Sequence, residues 1–273
     1  MADALALNFS LARKDGNTYI AHCFLKQDFR RVHGWGHRTL KQHYQFDRFV
    51  GAWLASHLES GKVIYCREGC AGCCNLAVHG TWLEAAAAAD ILSGPQAISL
   101  DAYIDRLKIA LPKLAGLKDY LKYHRQALGP CPFLNERGSC SIYAVRPLSC
   151  RALLSTRPAA WCTVDFSEMD PWDKQAYENG LDRQVVAWPL HYVAVTQQLG
   201  RALEETLQAT MQQEKGWSLS GNFPLMVWLE LNCKLNGRDN MSALELRSIL
   251  AARQVDSSLL LTISGSSQPD GYP

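Results

Sequence analysis

No run of eighteen apolar residues occurs in this 273-residue sequence, so no transmembrane helix is expected. The opening MADALALNFSLARKDG has no basic stretch leading into an apolar one, so no signal peptide is expected. Neither sign of charge dominates: 28 Lys and Arg stand against 26 Asp and Glu, a formal net charge of +2. That balance argues neither for a nucleic-acid binder nor for an enzyme of acidic substrates. The sequence contains no GxGxxG, no GxxxxGK[ST] and no GxSxG, so it offers no dinucleotide fingerprint, phosphate loop or nucleophile elbow. It also lacks alternating βα units, which makes a parallel sheet unexpected, and it has no internal repeat. The length suits one large domain or one domain with a smaller appendage, and 48% hydrophobic with 20% charged residues is ordinary for a globular chain.

Cysteine is what the chain has in excess. Of ten cysteines, seven fall in two windows, CREGCAGCC at 66–74 and CPFLNERGSCSIYAVRPLSCR at 131–151. The expected compartment is the cytoplasm, where thiols stay reduced, so they are read as metal ligands before disulfides. Cys66, Cys70, Cys73 and Cys74 could share one arc of a helix or converge from a loop, and Gly69 and Gly72 favour the loop. With Cys131, Cys140 and Cys150 they form the expected ligand set. Thiolates are soft donors that select zinc, cuprous copper or iron–sulfur clusters. An iron–sulfur cluster is favoured here, with zinc as the alternative. Seven thiols exceed the four of a single tetrahedral ion or cubane. Four ligands with three spares, a bridged binuclear site, and two sites with Cys162 as eighth ligand all fit. Inert, buried cysteines are the competing reading, but scattered core cysteines do not explain such spacing.

Four thiolates leave about −2 on a zinc ion or an oxidised four-iron cluster, a charge that needs hydrogen bonds or cations nearby. Arg67, Arg137, Arg146 and Arg151 adjoin the cysteines in sequence. Arg67, Arg146, Arg151 and Tyr143 are the residues expected to support the ligands. His79 and Tyr143 are the nearest candidates for proton handling, with packing the main reading for both. No catalytic residue is assigned. Further out, Cys23, His33, His37 and His43 sit around a short basic stretch and are read mainly as a polar loop. Cys233 lies in an apolar helical segment and is read as core.

The surroundings read as helical. An amphipathic helix spans 45–58, and 63–65 suggests a short strand. Thr81 and Glu84 form a capping box that opens an alanine-rich helix, expected to stop near 93–95. The next helix begins at Ser99 or Asp101 and is broken at Pro112. Leu114, Leu117, Leu121 and Leu128 mark the helix after that, which ends at Gly129-Pro130. Residues 133–143 suggest a small hairpin around the turn 135–138. Tyr192, Val195, Leu199, Leu203, Leu207 and Met211 mark a long helix with Gln198, Arg201, Glu204 and Glu205 facing away and Pro189 in its first turn. Two more helices follow, at 224–235 and from a capping box at Ser242 and Glu245. The fold expected is mainly α, a helical single domain with a small irregular or hairpin cysteine-cluster metal site. Its divisions are an N-terminal lead-in (1–61), a cysteine core (62–152), a C-terminal helical region (153–263) and a disordered tail (264–273).

Cys66-x3-Cys70-x2-Cys73-Cys74, Cys131-Pro-Phe-Leu, Gly138-x-Cys140-Ser-Ile-Tyr143 and Arg146-Pro147-Leu-x-Cys150-Arg151 resemble the YkgJ-type cysteine-cluster family, or CxxCxxCC domain, over about residues 62–152. The resemblance implies a site that chelates zinc or iron. Flagellin lysine N-methylases carry a similar cluster, which adds protein methylation to the conceivable activities. The functions expected are a metal- or cluster-binding protein in redox or modification chemistry, with a protein substrate or redox partner, or a structural zinc module whose helices bind a partner protein. Cys66-x3-Cys70-x2-Cys73 also has the spacing of radical S-adenosylmethionine enzymes, but these are built on βα barrels, and neither Cys74 nor the second window is explained by that motif.

Overall fold

Thr81 opens the helix around which the fold is assembled. Its hydroxyl takes the amide of Glu84 while Glu84 Oε2 accepts the Thr81 N–H at 2.8 Å, so two otherwise orphaned donors are satisfied at once. The computed structural model describes residues 32, 34–67, 69–238 and 240–265. The expectations for Cys23, His33, most of the lead-in and residues 266–273 lie outside them.

The chain enters α1 (Gly36–Glu59), then a loop, then β1 (His79–Thr81) and α2 (Trp82–Ile91). Every residue from Trp82 to Ala88 is buried. The five alanines let neighbours close in on every side: a Cβ on Gly36 would stand 2.8 Å from the Ala87 nitrogen. Gly36 therefore starts α1 by fitting against α2, nine residues ahead of the expected start, because close packing outweighs the entropic cost of glycine. Next come α3 (Gly94–Ala110) and α4 (Leu117–Tyr123), which runs on as a π turn over His124–Leu128 and stops at Gly129, φ +93°. Helix α3 starts earlier than expected, because Ser93 and Gln96 cap it with Pro95 in the first turn. The leucine stripe assigned to this segment holds only at its ends: Leu128 is buried and Leu114 packs against the core, but Leu117 and Leu121 are 61% and 43% exposed, and Tyr120 and His124 take the inward places between them.

The second half holds α5 (Leu148–Ala152), α6 (Pro171–Asn179), α7 (Ala194–Lys215), β2 (Trp217–Asn222), α8 (Phe223–Cys233), α9 (Ala243–Ala252) and β3 (Leu261–Gly265). The molecule is mainly α, as the sequence implies. Helix α8 is apolar all round and buried from Phe223 to Leu229, as a central helix must be, and Cys233 is buried in it. Helix α9 carries the expected capping box. Helix α7 begins at Ala194, beyond Pro189.

A small antiparallel sheet, ordered β1-β2-β3 with His79 opposite Asn222 and Trp217 opposite Gly265, was not expected. Helices α2 and α8 each follow directly from a strand and leave the antiparallel β1–β2 ladder at opposite ends, and Asn222 caps α8 by accepting the Leu225 N–H at 2.8 Å. The hairpin expected at 133–143 reduces to one bridge, Leu134 to Cys140, and no strand forms at 63–65. No described helix is long and apolar enough to cross a membrane.

Candidate metal centre

The first cysteine window is a loop, as its glycines imply. Gly69 sits at φ +74°, in the left-handed region where glycine has no Cβ penalty. A short 3-10 turn, Gly72–Asn75, carries Cys73 and Cys74. Three contacts tie this loop to distant segments. The Cys131 N–H bonds the Cys74 carbonyl at 2.9 Å, joining the two windows directly. The Ser155 N–H donates to Cys66 Sγ at 3.1 Å. Gly72 lies against the turn Ala159–Thr163, so closely that a Cβ there would meet the Ala159 carbonyl at 2.7 Å and the Cys162 Cβ at 3.1 Å.

The third cysteine segment is anchored by Glu84. This buried carboxylate caps α2 and also accepts the Leu148 N–H at 2.7 Å, which holds the start of α5 and so Cys150. Burial alone would raise its pKa, but the His43 bond and the amides of Leu148 and Thr81 outweigh it and hold the carboxyl below its ordinary value.

These ties bring eight cysteines, Cys162 among them, to the wall of one cavity of about 310 Å³. Cys73 is the thiol the others share: its charge acts on Cys66, Cys74, Cys131, Cys140, Cys150 and Cys162. Cys70 also acts on Cys66 and Cys162, and Cys131 on Cys74 and Cys150. Among the described residues no three histidine, cysteine or carboxylate side chains stand at the spacing that holds a metal ion. The donors converge without closing a shell around a single ion.

Desolvation pushes most of these thiols up, Cys66 and Cys131 to about 12 and Cys150 well above its ordinary value. Hydrogen bonds oppose it: the amides of Ser155, Phe133 and Ile142 act on Cys66, Cys131 and Cys140. Cys73 is the exception. Its bond from the Cys74 thiol, with help from the Arg146 charge, brings it down to about 7 against its own burial. Amides aimed at sulfur and a cation beside it suit thiolate bound to a soft metal, so the donor set fits the group that the spacing implies.

The supporting residues divide. Arg146 stacks over the Tyr143 ring at 4.0 Å, and its charge acts on Cys73, Cys140 and Cys150. Arg67 is exposed at the cavity wall. Arg151 lines the cavity but directs its hydrogen bonds elsewhere. It is buried, bonds both Asp47 carboxylate oxygens at 2.8 Å, and holds the carbonyls of Ala144 and Arg146. It supports the 144–146 segment and reaches Cys140 only through its charge. His79 lines the cavity from β1; His43 is buried beside Glu84, 3.5 Å away, outside the thiol wall.

Several residues escape sequence reading. His191 is buried with Nε2 3.4 Å from Cys162 Sγ and Nδ1 2.8 Å from the Tyr177 hydroxyl. Tyr192 also bonds Cys162. Glu204, assigned to the outer face of α7, is buried and lines the cavity. A capping signal or a cysteine spacing is local, whereas these contacts depend on segments that meet only in the fold.

No curated protein and no solved structure matches the chain. The segment that supplies all eight cavity cysteines does match a family: residues 65–174 fit the CxxCxxCC family model, described as a "Putative zinc- or iron-chelating domain".

Proposed function

We propose that this chain carries iron–sulfur centres on two four-sulfur positions of one cavity and serves in electron transfer or in redox-dependent modification of a protein partner. Cys66, Cys70, Cys73 and Cys162 form one position; Cys74, Cys131, Cys140 and Cys150 form the other. This set contains the seven cysteines of the two sequence windows and adds Cys162. The observation that carries the reading is the grouping of eight thiols about Cys73 in a single cavity. Clusters are favoured over a single zinc ion because eight thiols line the one cavity, twice the four that a tetrahedral zinc ion takes. The bound group would supply one-electron chemistry. The chain would hold it through these sulfurs, offset its charge with Arg146, and tune it through the amides of Ser155, Phe133 and Ile142. Reduced thiols suit a cytoplasmic setting.

The second reading is a structural zinc module whose helices bind a partner; its donor set would be the same. Anaerobic purification followed by iron, sulfide and zinc analysis, with absorption and EPR spectra, separates the two. Iron with equivalent sulfide is the expected result. A colourless protein with zinc and no sulfide would establish the zinc module instead.

A further inference from the structure

The cavity has a second wall that the cysteines do not explain. Gln197, Gly200, Arg201 and Glu204 line it from α7, and their spacing puts them on one face of the helix. Gly200 lets that face approach closely, since a Cβ there would lie 3.0 Å from the Ala152 Cβ at the end of α5. A core helix would be expected to turn leucine toward such a contact. Instead α7 lines the cavity with an amide, a guanidinium and a carboxyl; the Gln197 Nε2 donates one hydrogen to the Val193 carbonyl at 3.4 Å and keeps a second for a ligand.

Glu204 is the informative member. It is 7% exposed, and its Oε1 is buried without a hydrogen-bond partner among the described residues. An orphaned polar atom at that depth is costly and is retained where something meets it. Burial, then the charge of Glu84, push its carboxyl up to about 8 against the Ser149 amide and the Arg201 charge. At neutral pH it is therefore a donor as well as an acceptor. Arg201 is exposed, and its charge is felt by Glu204, whereas the charge felt by Cys73, Cys140 and Cys150 is that of Arg146. Arg201 is therefore available to a ligand rather than committed to the sulfurs. A guanidinium fork, a side-chain amide and a carboxyl O–H along one helix face form a set of donors, and a planar carboxylate matches that set.

We infer that the α7 wall is a binding subsite for a small carboxylate, held by Arg201 with Gln197 and Glu204 beside the cysteine cavity. The subsite does not depend on the metal reading, because none of its three side chains is a proposed ligand.

Isothermal titration of the full chain with succinate and with phosphate tests it, on protein kept reduced and metal-free by a chelator and again on protein as purified. Succinate is expected to bind both forms and to bind more tightly than phosphate. Arg201→Gln should weaken it at least tenfold. Glu204→Ala should weaken it too, whereas Glu204→Gln, which keeps a donor at that position, should bind nearly as the parent does. Circular dichroism on each variant identifies any that fail to fold. Equal succinate affinity in the parent and a folded Arg201→Gln, no binding to the parent up to about 10 mM, or a preference for phosphate would each overturn the assignment. Because metal content is measured separately, failure of the cluster reading leaves this result interpretable.

Discussion

Ser155 donates its backbone N–H to the sulfur of Cys66 at 3.1 Å across 89 residues of sequence. The bond is reciprocated one residue earlier, where the Tyr65 N–H takes the Ser155 carbonyl at 2.9 Å. A two-point backbone clamp thus fixes the entry of the first cysteine loop and aims a donor at its first sulfur. Among its described residues the loop has no regular structure up to Gly72, so its position depends on such long-range ties.

The metal-free thiols set a pH limit on stability. Burial raises Cys66 and Cys131 to about 12 in the folded chain, above the ordinary value of about 8.5 for an unfolded thiol. The sign follows from linkage: the unfolded state loses its protons first as pH rises, so their contribution is complete below the unfolded pKa and is lost between there and about 12. The metal-free protein is expected to unfold at lower urea at pH 10 than at pH 8. Protein as purified, with sulfurs bound as thiolates, should lose less over that interval. Identical shifts for the two forms would show that these thiols are not what the metal occupies.

Gly72 offers a way to disturb the site without touching sulfur. A methyl at this position would meet the Ala159 carbonyl at 2.7 Å and the Cys162 Cβ at 3.1 Å, and neither can give way without moving the turn that carries Cys162. Gly72→Ala should therefore separate Cys73 from Cys162 and lower metal content, while Gly51→Ala, which has open space around it, should leave metal content unchanged. Metal analysis of the two variants side by side is the measurement. Full loading of Gly72→Ala would mean that Cys162 is not part of the site.

Local chemistry was the legible part of the sequence. The Thr81–Glu84 and Ser242–Glu245 capping boxes and the loop character of 66–74 all rest on residues within a few positions of one another. Helix faces were less secure. On α7 the buried positions include Thr196, Gly200 and Glu204, because small residues permit close packing on α5 and a cavity takes a polar one. A leucine stripe therefore pointed partly to the wrong side. Strand β2 was missed although Trp217–Ser220 alternates apolar and polar residues: the run is only four residues long, and Gly221 and Asn222 after it are turn-forming types. At the site, the sequence singled out the clustered cysteines, and Cys162 was identified as an eighth candidate. His191, Tyr177 and the cavity-facing Glu204 were hidden because chain folding alone makes them neighbours of a sulfur.

Asp47 is predicted to matter for stability more than its exposed helix suggests. Its two carboxylate oxygens each take a bond from Arg151 Nη1 at 2.8 Å, and the Arg151 side chain is almost wholly buried. Removing one partner of such a pair leaves a charge uncompensated in the interior, a loss of about 3–5 kcal/mol for fully buried pairs. Asp47 keeps some exposure, so Asp47→Ala should cost about 2–3 kcal/mol, read as a lower urea midpoint at unchanged slope. Arg151 also holds the carbonyls of Ala144 and Arg146, so metal affinity should fall with it. An unchanged midpoint would contradict a structural role for the pair.

The hydrogen-bonded chain behind Cys162 should affect metal affinity rather than fold. Tyr177 Oη lies 2.8 Å from His191 Nδ1, and the His191 backbone amide acts on the same phenol oxygen. A phenol that donates its proton to Nδ1 leaves the ring proton on Nε2, 3.4 Å from Cys162 Sγ. A donor so placed favours the sulfur as thiolate, and residues that orient ligands in this way contribute about 10–100-fold to metal affinity. Tyr177→Phe removes the hydroxyl but keeps the ring that stacks on Trp161 at 4.8 Å, so the aromatic packing survives. It is expected to weaken metal binding about tenfold in a chelator competition, with little change in thermal midpoint. His191→Gln, which can still donate to Cys162, should fall between Tyr177→Phe and Cys162→Ser. If Tyr177→Phe leaves the competition curve unchanged while Cys162→Ser shifts it, Cys162 binds metal without this chain. If neither variant shifts it, Cys162 lies outside the metal site.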